Sequence, residues 1–283
     1  MLKPYYETKL GKLYHGDCLD IMPQLEPVDL VVTSPPYDNL RQYEGYTFDF
    51  IGTAKAVSKL LKPGATLVWI VGDETINGDE SGTSFTQALY YKSLGLRLLD
   101  TMIYEAKGTG AKGSNNAYWQ AFEYMFVLTN GKIKTVNRIK DHRNITQGQI
   151  RKSTPKSERI GTRTIGDKVF TTPPFSIRTN IWKYSTGKDG VINHPATFPE
   201  QLAQDHIISW SNEGNTVADI MMGSGTTAIA CERLNRKWVG IETSELYCEE
   251  AASRIEREVK VLSKRLGVAA TFRKQASIKK LRT

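Results

Sequence analysis

Cysteine is scarce in this chain: among 283 residues there are three, Cys18, Cys231 and Cys248, far apart and without a CxxC pair. That spacing indicates neither a zinc site nor a disulfide framework, so no metal is expected and a reducing, cytoplasmic setting is the default. Long apolar runs are lacking as well. No stretch reaches the roughly 20 apolar residues that span a bilayer, and Met1–Leu10 has no apolar core of signal-peptide length, so no membrane is expected as a partner. Acidic residues are the minority charge, with 30 Asp and Glu against 38 Lys and Arg, a net charge of +8. The excess favours an anionic partner, nucleic acid first, over a merely basic soluble protein.

What the chain does contain is organised around Val31-Val-Thr-Ser-Pro-Pro-Tyr37. The apolar run Val28–Val32 reads as a buried strand, and two prolines can continue neither a ladder nor a helix. The strand stops abruptly at its carboxyl end. In open α/β sheets that edge binds ligands, and here it offers the Ser34 hydroxyl, rigid carbonyls and the Tyr37 ring, a set suited to a flat, hydrogen-bonding nucleobase. The plainer reading is a rigid turn.

Around this stretch the pattern alternates strand and helix. Lys12–His15 reads as a strand leading into Gly16-Asp17-Cys18-Leu19-Asp20, where Asp17 is either a helix cap or a ligand contact. Helical spacing over 48–61, breakers at Lys62-Pro63-Gly64 and a strand over 66–72 make a βαβ unit, hence a parallel sheet. A helix over 83–94, strands over 96–104 and 122–129 and a glycine-rich loop over 107–116 follow. After 194 come a helix over 198–210, in which His206 reads as a packed residue and not a ligand, a strand ending at Asp219, and a helix from Thr226.

The second stretch with chemical content is Asp219-Ile-Met-Met-Gly223-Ser-Gly225-Thr226. Its glycines allow close backbone approach and its helix start offers N–H groups to an anion. A P-loop is the weaker competitor, because Gly225 is followed by Thr226 and Thr227 and the required Gly-Lys-Ser/Thr is absent. The next strand, over 237–242, ends in Glu242, about the ~20 residues beyond the glycines at which an acid meets ribose hydroxyls. An adenosine-containing cofactor is the expectation.

From 131 to 190 basic residues accumulate, apolar periodicity weakens, and the segment reads either as a solvated insertion or as one lying on a phosphate backbone. Asn137, Asn144, Gln147 and Gln149 are its candidate base readers. Charged helical sequence over 244–265 leads into what reads as a frayed basic tail.

Taken together, Gly16–Asp20, Thr33–Tyr37, His194–Pro199, Asp219 with Gly223–Thr227, and Glu242 make the chain resemble the DNA amino-methyltransferases that use S-adenosyl-L-methionine, the N4-cytosine and N6-adenine enzymes of restriction-modification systems. Catalytic turn first and cofactor loop last resembles the permuted class called beta. The resemblance implies a doubly wound, mostly parallel, Rossmann-like α/β fold: a catalytic part at 1–130, a target-recognition insert at 131–190, a cofactor part at 191–266 and a basic tail at 267–283. It implies that Asp219, Gly223, Gly225 and Thr226 hold the methionine end of the cofactor beside Thr33, Glu242 the ribose and Asp17 the adenine side, with Phe198 and Pro199 lining the pocket. Ser34, Pro35, Pro36 and Tyr37 then hold the target base.

In the family the chain resembles, Ser-Pro-Pro-Tyr goes mostly with N4 of cytosine and Asp-Pro-Pro-Tyr with N6 of adenine, so the resemblance implies cytosine over adenine as the target, in duplex DNA with the base flipped out. RNA or protein-glutamine methylation, and DNA binding without turnover, are the rivals. A separately acting cognate restriction endonuclease is a further candidate partner, and the assembly is a monomer or a homodimer. One departure stands out: the family's loop commonly begins Asp-Pro-Phe, whereas Ile220 and Met221 follow Asp219 here.

Overall fold

The computed structural model describes residues 2–36, 48–107, 118–152, 169–185 and 199–280, with the side chains of 106, 107, 152 and 266–280 excepted. These residues divide into two compact units, Met1–Asn137 with Asn180–Thr283, and Arg138–Thr179.

The first unit is built on nine strands. In chain order its elements are β1 (Tyr6–Glu7), β2 (Gly11–His15), α1 (Cys18–Ile21), β3 (Val28–Thr33), α2 (Phe50–Leu60), β4 (Leu61–Val71), the small hairpin β5 (Thr75–Ile76) and β6 (Asp79–Glu80), α3 (Thr83–Ser93), β7 (Arg97–Lys107) and β8 (Phe122–Thr129). The second unit contributes β9 (Lys140–Arg143), β10 (Ile150–Lys152), β11 (Val169–Thr171) and β12 (Phe175–Ile177). The chain then returns through β13 (Ile181–Ser185), α4 (Glu200–Trp210), β14 (Thr216–Asp219), α5 (Thr226–Arg233), β15 (Lys237–Glu242) and α6 (Glu245–Lys280).

The sheet order is β1-β2-β15-β14-β3-β4-β8-β7-β13. Strands β2, β15, β14, β3 and β4 are parallel, β8 is antiparallel to both its neighbours, and β13 is parallel to β7. Alternation along the central strands buries both faces. Leu30, Val32, Val68 and Ile70 join Leu202, Ile207 and Ala228 from α4 and α5, whereas Val31, Leu67, Trp69 and Val71 join Ala54, Val57 and Tyr91 from α2 and α3. Helices therefore cover the sheet on both sides, as the strand–helix alternation predicts.

Two boundaries differ from the sequence reading. Residues 181–185, inside the basic stretch, form β13, because Trp182 and Tyr184 alternate with exposed neighbours and bury one face against the sheet. Beyond 266, where a frayed tail is expected, α6 stays helical through Lys280, in keeping with a composition rich in Ala, Lys, Arg and Gln.

One glycine is fixed by close approach. A Cβ on Gly11 would lie 2.2 Å from Cδ2 of Trp238, its partner across the β2–β15 ladder, which is buried and donates its Nε1–H to Glu232 at 2.8 Å. The ring cannot yield without losing that bond. Gly11→Ala is expected to cost about 1–3 kcal/mol by overpacking, read as a lower denaturation midpoint.

Candidate functional site

The connections set where a crevice opens. From β14 the chain passes through α5 to β15 on one side, and from β3 it passes through α2 to β4 on the other, so the strand order reverses between β14 and β3. Ligands of open α/β sheets bind at the carboxyl ends of strands at such a switch point. Asp219 ends β14 and Thr33 ends β3.

A chain of short hydrogen bonds crosses this point. Thr33 Oγ1 donates to Asp219 Oδ1 at 2.9 Å and Thr227 Oγ1 donates to Oδ2 at 2.6 Å; the Met221 amide adds a bond to Oδ1 at 3.3 Å. All three side chains are buried. Burial pushes the Asp219 carboxyl up to about 6; the bonds from Thr227, Thr33 and Met221 pull it down, and the nearby Glu242 charge raises it further. The end of β3, and with it Ser34, Pro35 and Pro36, is thereby bolted to the first turn of α5.

The glycine loop between β14 and α5 is gripped on both sides. Glu242, at the end of β15, accepts the Gly223 N–H at 2.7 Å on Oε2 and the Ser244 N–H at 2.9 Å on Oε1. On the other side, buried Arg254 of α6 donates through Nη1 to the carbonyl and the hydroxyl of Ser224 at 2.6 and 2.8 Å, and through Nη2 to Glu200 at 3.2 Å. Gly223 and Gly225 have φ of 52° and 86°, left-handed values that side chains resist. Within the loop the Gly223 and Gly225 N–H groups are already bonded, to Glu242 and to the Met222 carbonyl at 3.1 Å, so the start of α5 supplies the N–H donors; beside it the Glu242 carboxylate, whose Oε1 also accepts the Thr243 hydroxyl at 3.4 Å, keeps a lone pair on Oε2. That donor set fits a cofactor with both hydroxyl donors and an anionic end.

Among the other expected residues, Asp17 caps α1, accepting the Leu19 N–H at 2.8 Å, and the adjacent Gly16 N–H bonds the Glu242 carbonyl at 2.9 Å. Asp17 therefore both caps its helix and lies on the carboxyl edge that carries Glu242. Thr226 is the first residue of α5, and Pro199 is buried at the start of α4. Tyr37 and Phe198 lie outside the described residues. His206 is packed, with Trp210 Nε1 donating to its Nδ1 at 3.2 Å and the Trp182 ring 4.6 Å away.

Sequence reading missed two residues. Asp73, just beyond β4, is buried and accepts the Ser84 N–H at 2.7 Å and its hydroxyl at 2.5 Å; an acid directly after a buried strand was the available signal. Arg254 sits on the same helix face as buried Cys248, Ala251 and Ile255, a spacing that marks a basic residue turned inward.

Cysteine chemistry is closed off by burial, which pushes Cys18 up to about 11, Cys248 up to about 12, and Cys231 upward as well. Among the described residues no group of His, Cys, Asp or Glu could hold a metal, and no helix is long and apolar enough to cross a membrane.

The sequence model of the N6/N4 DNA methylase family matches residues 28–253, from the first residue of β3 into α6. The chain belongs to this DNA methylase family. The orphan methyltransferase M.BamHII of Bacillus amyloliquefaciens is 43% identical over 264 residues, which span 89% of this chain and 94% of that relative. Of solved structures, the PvuII DNA methyltransferase, titled cytosine-N4-specific, superposes with a TM-score of 0.67 at 21% identity, covering 91% of this chain and 94% of its own. TTHA0409 of Thermus thermophilus, solved with S-adenosyl-L-methionine, has a TM-score of 0.57 at 25% identity and coverages of 87% and 95%. As a member of this family the protein is a DNA methyltransferase.

Proposed function

We propose that this DNA methyltransferase transfers the methyl group of S-adenosyl-L-methionine to the exocyclic N4 of a cytosine flipped out of duplex DNA. The observation that carries the reading is the Thr33–Asp219–Thr227 chain, which holds the Ser34-Pro35-Pro36 turn beside the glycine loop at the switch point. In this reading Gly223, Gly225 and the start of α5 at Thr226 receive the methionine end, Glu242 the ribose hydroxyls and Asp17 the adenine side, with Pro199 and Phe198 on the pocket wall. Asp219 acts by positioning, since both of its oxygens already serve internal donors. When bound, the cofactor supplies an electrophilic methyl on a sulfonium.

The residues of the turn then do the rest. An exocyclic amine conjugated to its ring is a weak nucleophile. The Ser34 hydroxyl and the Pro35 carbonyl are acceptors; hydrogen bonds from the amine to them hold its lone pair toward the methyl group, so that orientation and preset dipoles lower the barrier. Extruding the base costs roughly a few kcal/mol, which stacking on Tyr37 offsets. Serine at this position, with cytosine-N4 specificity in the similar PvuII enzyme, supports cytosine. In the second unit the charged residues over 138–152 and 169–179 are basic apart from Asp141, which suits a phosphate backbone.

The test is chemical. Plasmid DNA methylated with isotopically labelled cofactor and digested to nucleosides is expected to yield labelled N4-methyl-2′-deoxycytidine. N6-methyl-2′-deoxyadenosine alone would overturn the choice of base, and no labelled nucleoside would overturn the activity.

A further inference from the structure

The Arg138–Thr179 unit contains two small antiparallel ladders, β9 with β12 and β10 with β11. The turn from β9 to β10, residues 144–149, is pinned far more tightly than its surface position requires. Asn144 donates its backbone N–H to the Pro174 carbonyl and its side-chain amide to that of Pro173, both at 2.9 Å. Gly148 N–H bonds the Thr172 carbonyl at 3.0 Å, the Thr172 N–H bonds the Gln149 carbonyl at 2.9 Å, and Arg151 donates to the Thr146 hydroxyl at 2.9 Å. Gly148 closes the turn at a φ of 81°.

This fixed frame holds out a distinctive set of side chains. Ile145 is fully exposed, at 101%, and Gln147 and Gln149 are exposed beside it, with no side-chain hydrogen bond among the described residues. A mobile loop could fold an isoleucine back toward an apolar neighbour; here the bonds on either side prevent it. Ordering the turn before a partner arrives removes that cost from binding, which is what a recognition element needs. Asn144, by contrast, is half-buried and spends an amide N–H on the frame.

We propose that the 144–149 turn is the base-reading element of the second unit, with Gln147 and Gln149 hydrogen-bonding base edges and Ile145 making the apolar contact, against a thymine methyl or a base face. The proposal rests on the DNA methyltransferase reading. DNA is the partner that the charges select: Lys140 and Arg143 at one end of the turn and Arg151 at the other are exposed, while the single acid of the unit's described residues, Asp141, is paired bidentately with Arg178. Glutamine amides pair with adenine edges and branched apolar groups with thymine methyls, and such contacts discriminate sequence while the flanking cations fix register.

The experiment compares full-length wild type with a Gln147→Ala/Gln149→Ala double variant, with Ile145→Ala, and with Lys140→Ala/Arg143→Ala. Methylated sites are mapped at single-base resolution on a plasmid library, and DNA affinity is measured over a salt series. The glutamine pair and Ile145→Ala are expected to relax discrimination about tenfold at one or two positions of the methylated site, with the salt slope unchanged. The basic pair is expected to weaken binding to all sequences alike and to lower the salt slope by about one for each phosphate no longer neutralised. Unchanged site preference in the glutamine and Ile145 variants overturns the proposal, as does a loss equal on every sequence. Failure of wild type to methylate any DNA would instead overturn the proposed activity.

Discussion

Asp219→Ala is expected to abolish methyl transfer and to lower stability by about 2–4 kcal/mol, because it strands two hydroxyls, on Thr33 and Thr227, together with the Met221 N–H. Without the carboxylate the hydrogen bonds that link Thr33 to α5 are gone and only apolar packing holds β3 against that helix, so the Ser34-Pro35 turn drifts from the glycine loop. Urea unfolding and radiolabelled methyl transfer to DNA measure the two effects; a variant with the wild-type midpoint and rate would sink the positioning role.

The same residue makes stability depend on pH, and the sign follows from its shift. Burial raises the folded carboxyl from 3.8 to about 6, so between those values the native state holds a proton that the unfolded chain has released. The contribution is therefore fully favourable below about pH 4, fades as the pH rises, and is gone above about pH 6, a span worth roughly 3 kcal/mol. Asp219→Asn keeps the size and a bonding group that rotated threonine hydroxyls can meet. The difference in unfolding free energy between variant and wild type is expected to move in the variant's favour as the pH rises from about 4 to about 7. A difference constant across that range would show the carboxyl to be unshifted.

These bonds also mark what could be read from the sequence and what could not. The β3 strand, the proline stop, the glycine loop and Glu242 are local patterns of periodicity and turn chemistry, and each lies where the sequence puts it. The partners of those residues are not local. Thr33 and Asp219 are 186 positions apart, and no spacing rule announces their bond. Among the candidate base readers, Asn137 donates its amide to the carbonyls of Ile208 and Ser211 and Asn144 to that of Pro173, whereas Gln147 and Gln149 stay exposed. Composition treats the four alike; only folding sorts them. Arg254 was hidden for the converse reason, because a charged residue in a charged helix reads as solvated until the face it occupies is known.

Glu242→Ala is expected to weaken binding of S-adenosyl-L-methionine about a hundredfold while leaving the fold intact. The carboxylate acts twice in this reading: it fixes the loop through the Gly223 N–H and it accepts a ribose hydroxyl on the remaining lone pair of Oε2. Losing charge-assisted bonds of that kind costs roughly 1.5–3 kcal/mol each, and a hundredfold is about 2.7 kcal/mol. Stability is expected to change less, since Arg254 still holds Ser224 by two bonds from the other side and the Ser244 N–H, at the start of α6, is only part-buried and can turn to water. Glu242→Gln should fall between, because one oxygen becomes a donor facing either the Gly223 or the Ser244 N–H. Titration calorimetry with the cofactor, alongside thermal melting without it, separates the effects. Wild-type affinity in the alanine variant would remove Glu242 from the binding site, and a collapsed melt with the affinity of the folded fraction unchanged would reduce it to a structural bolt.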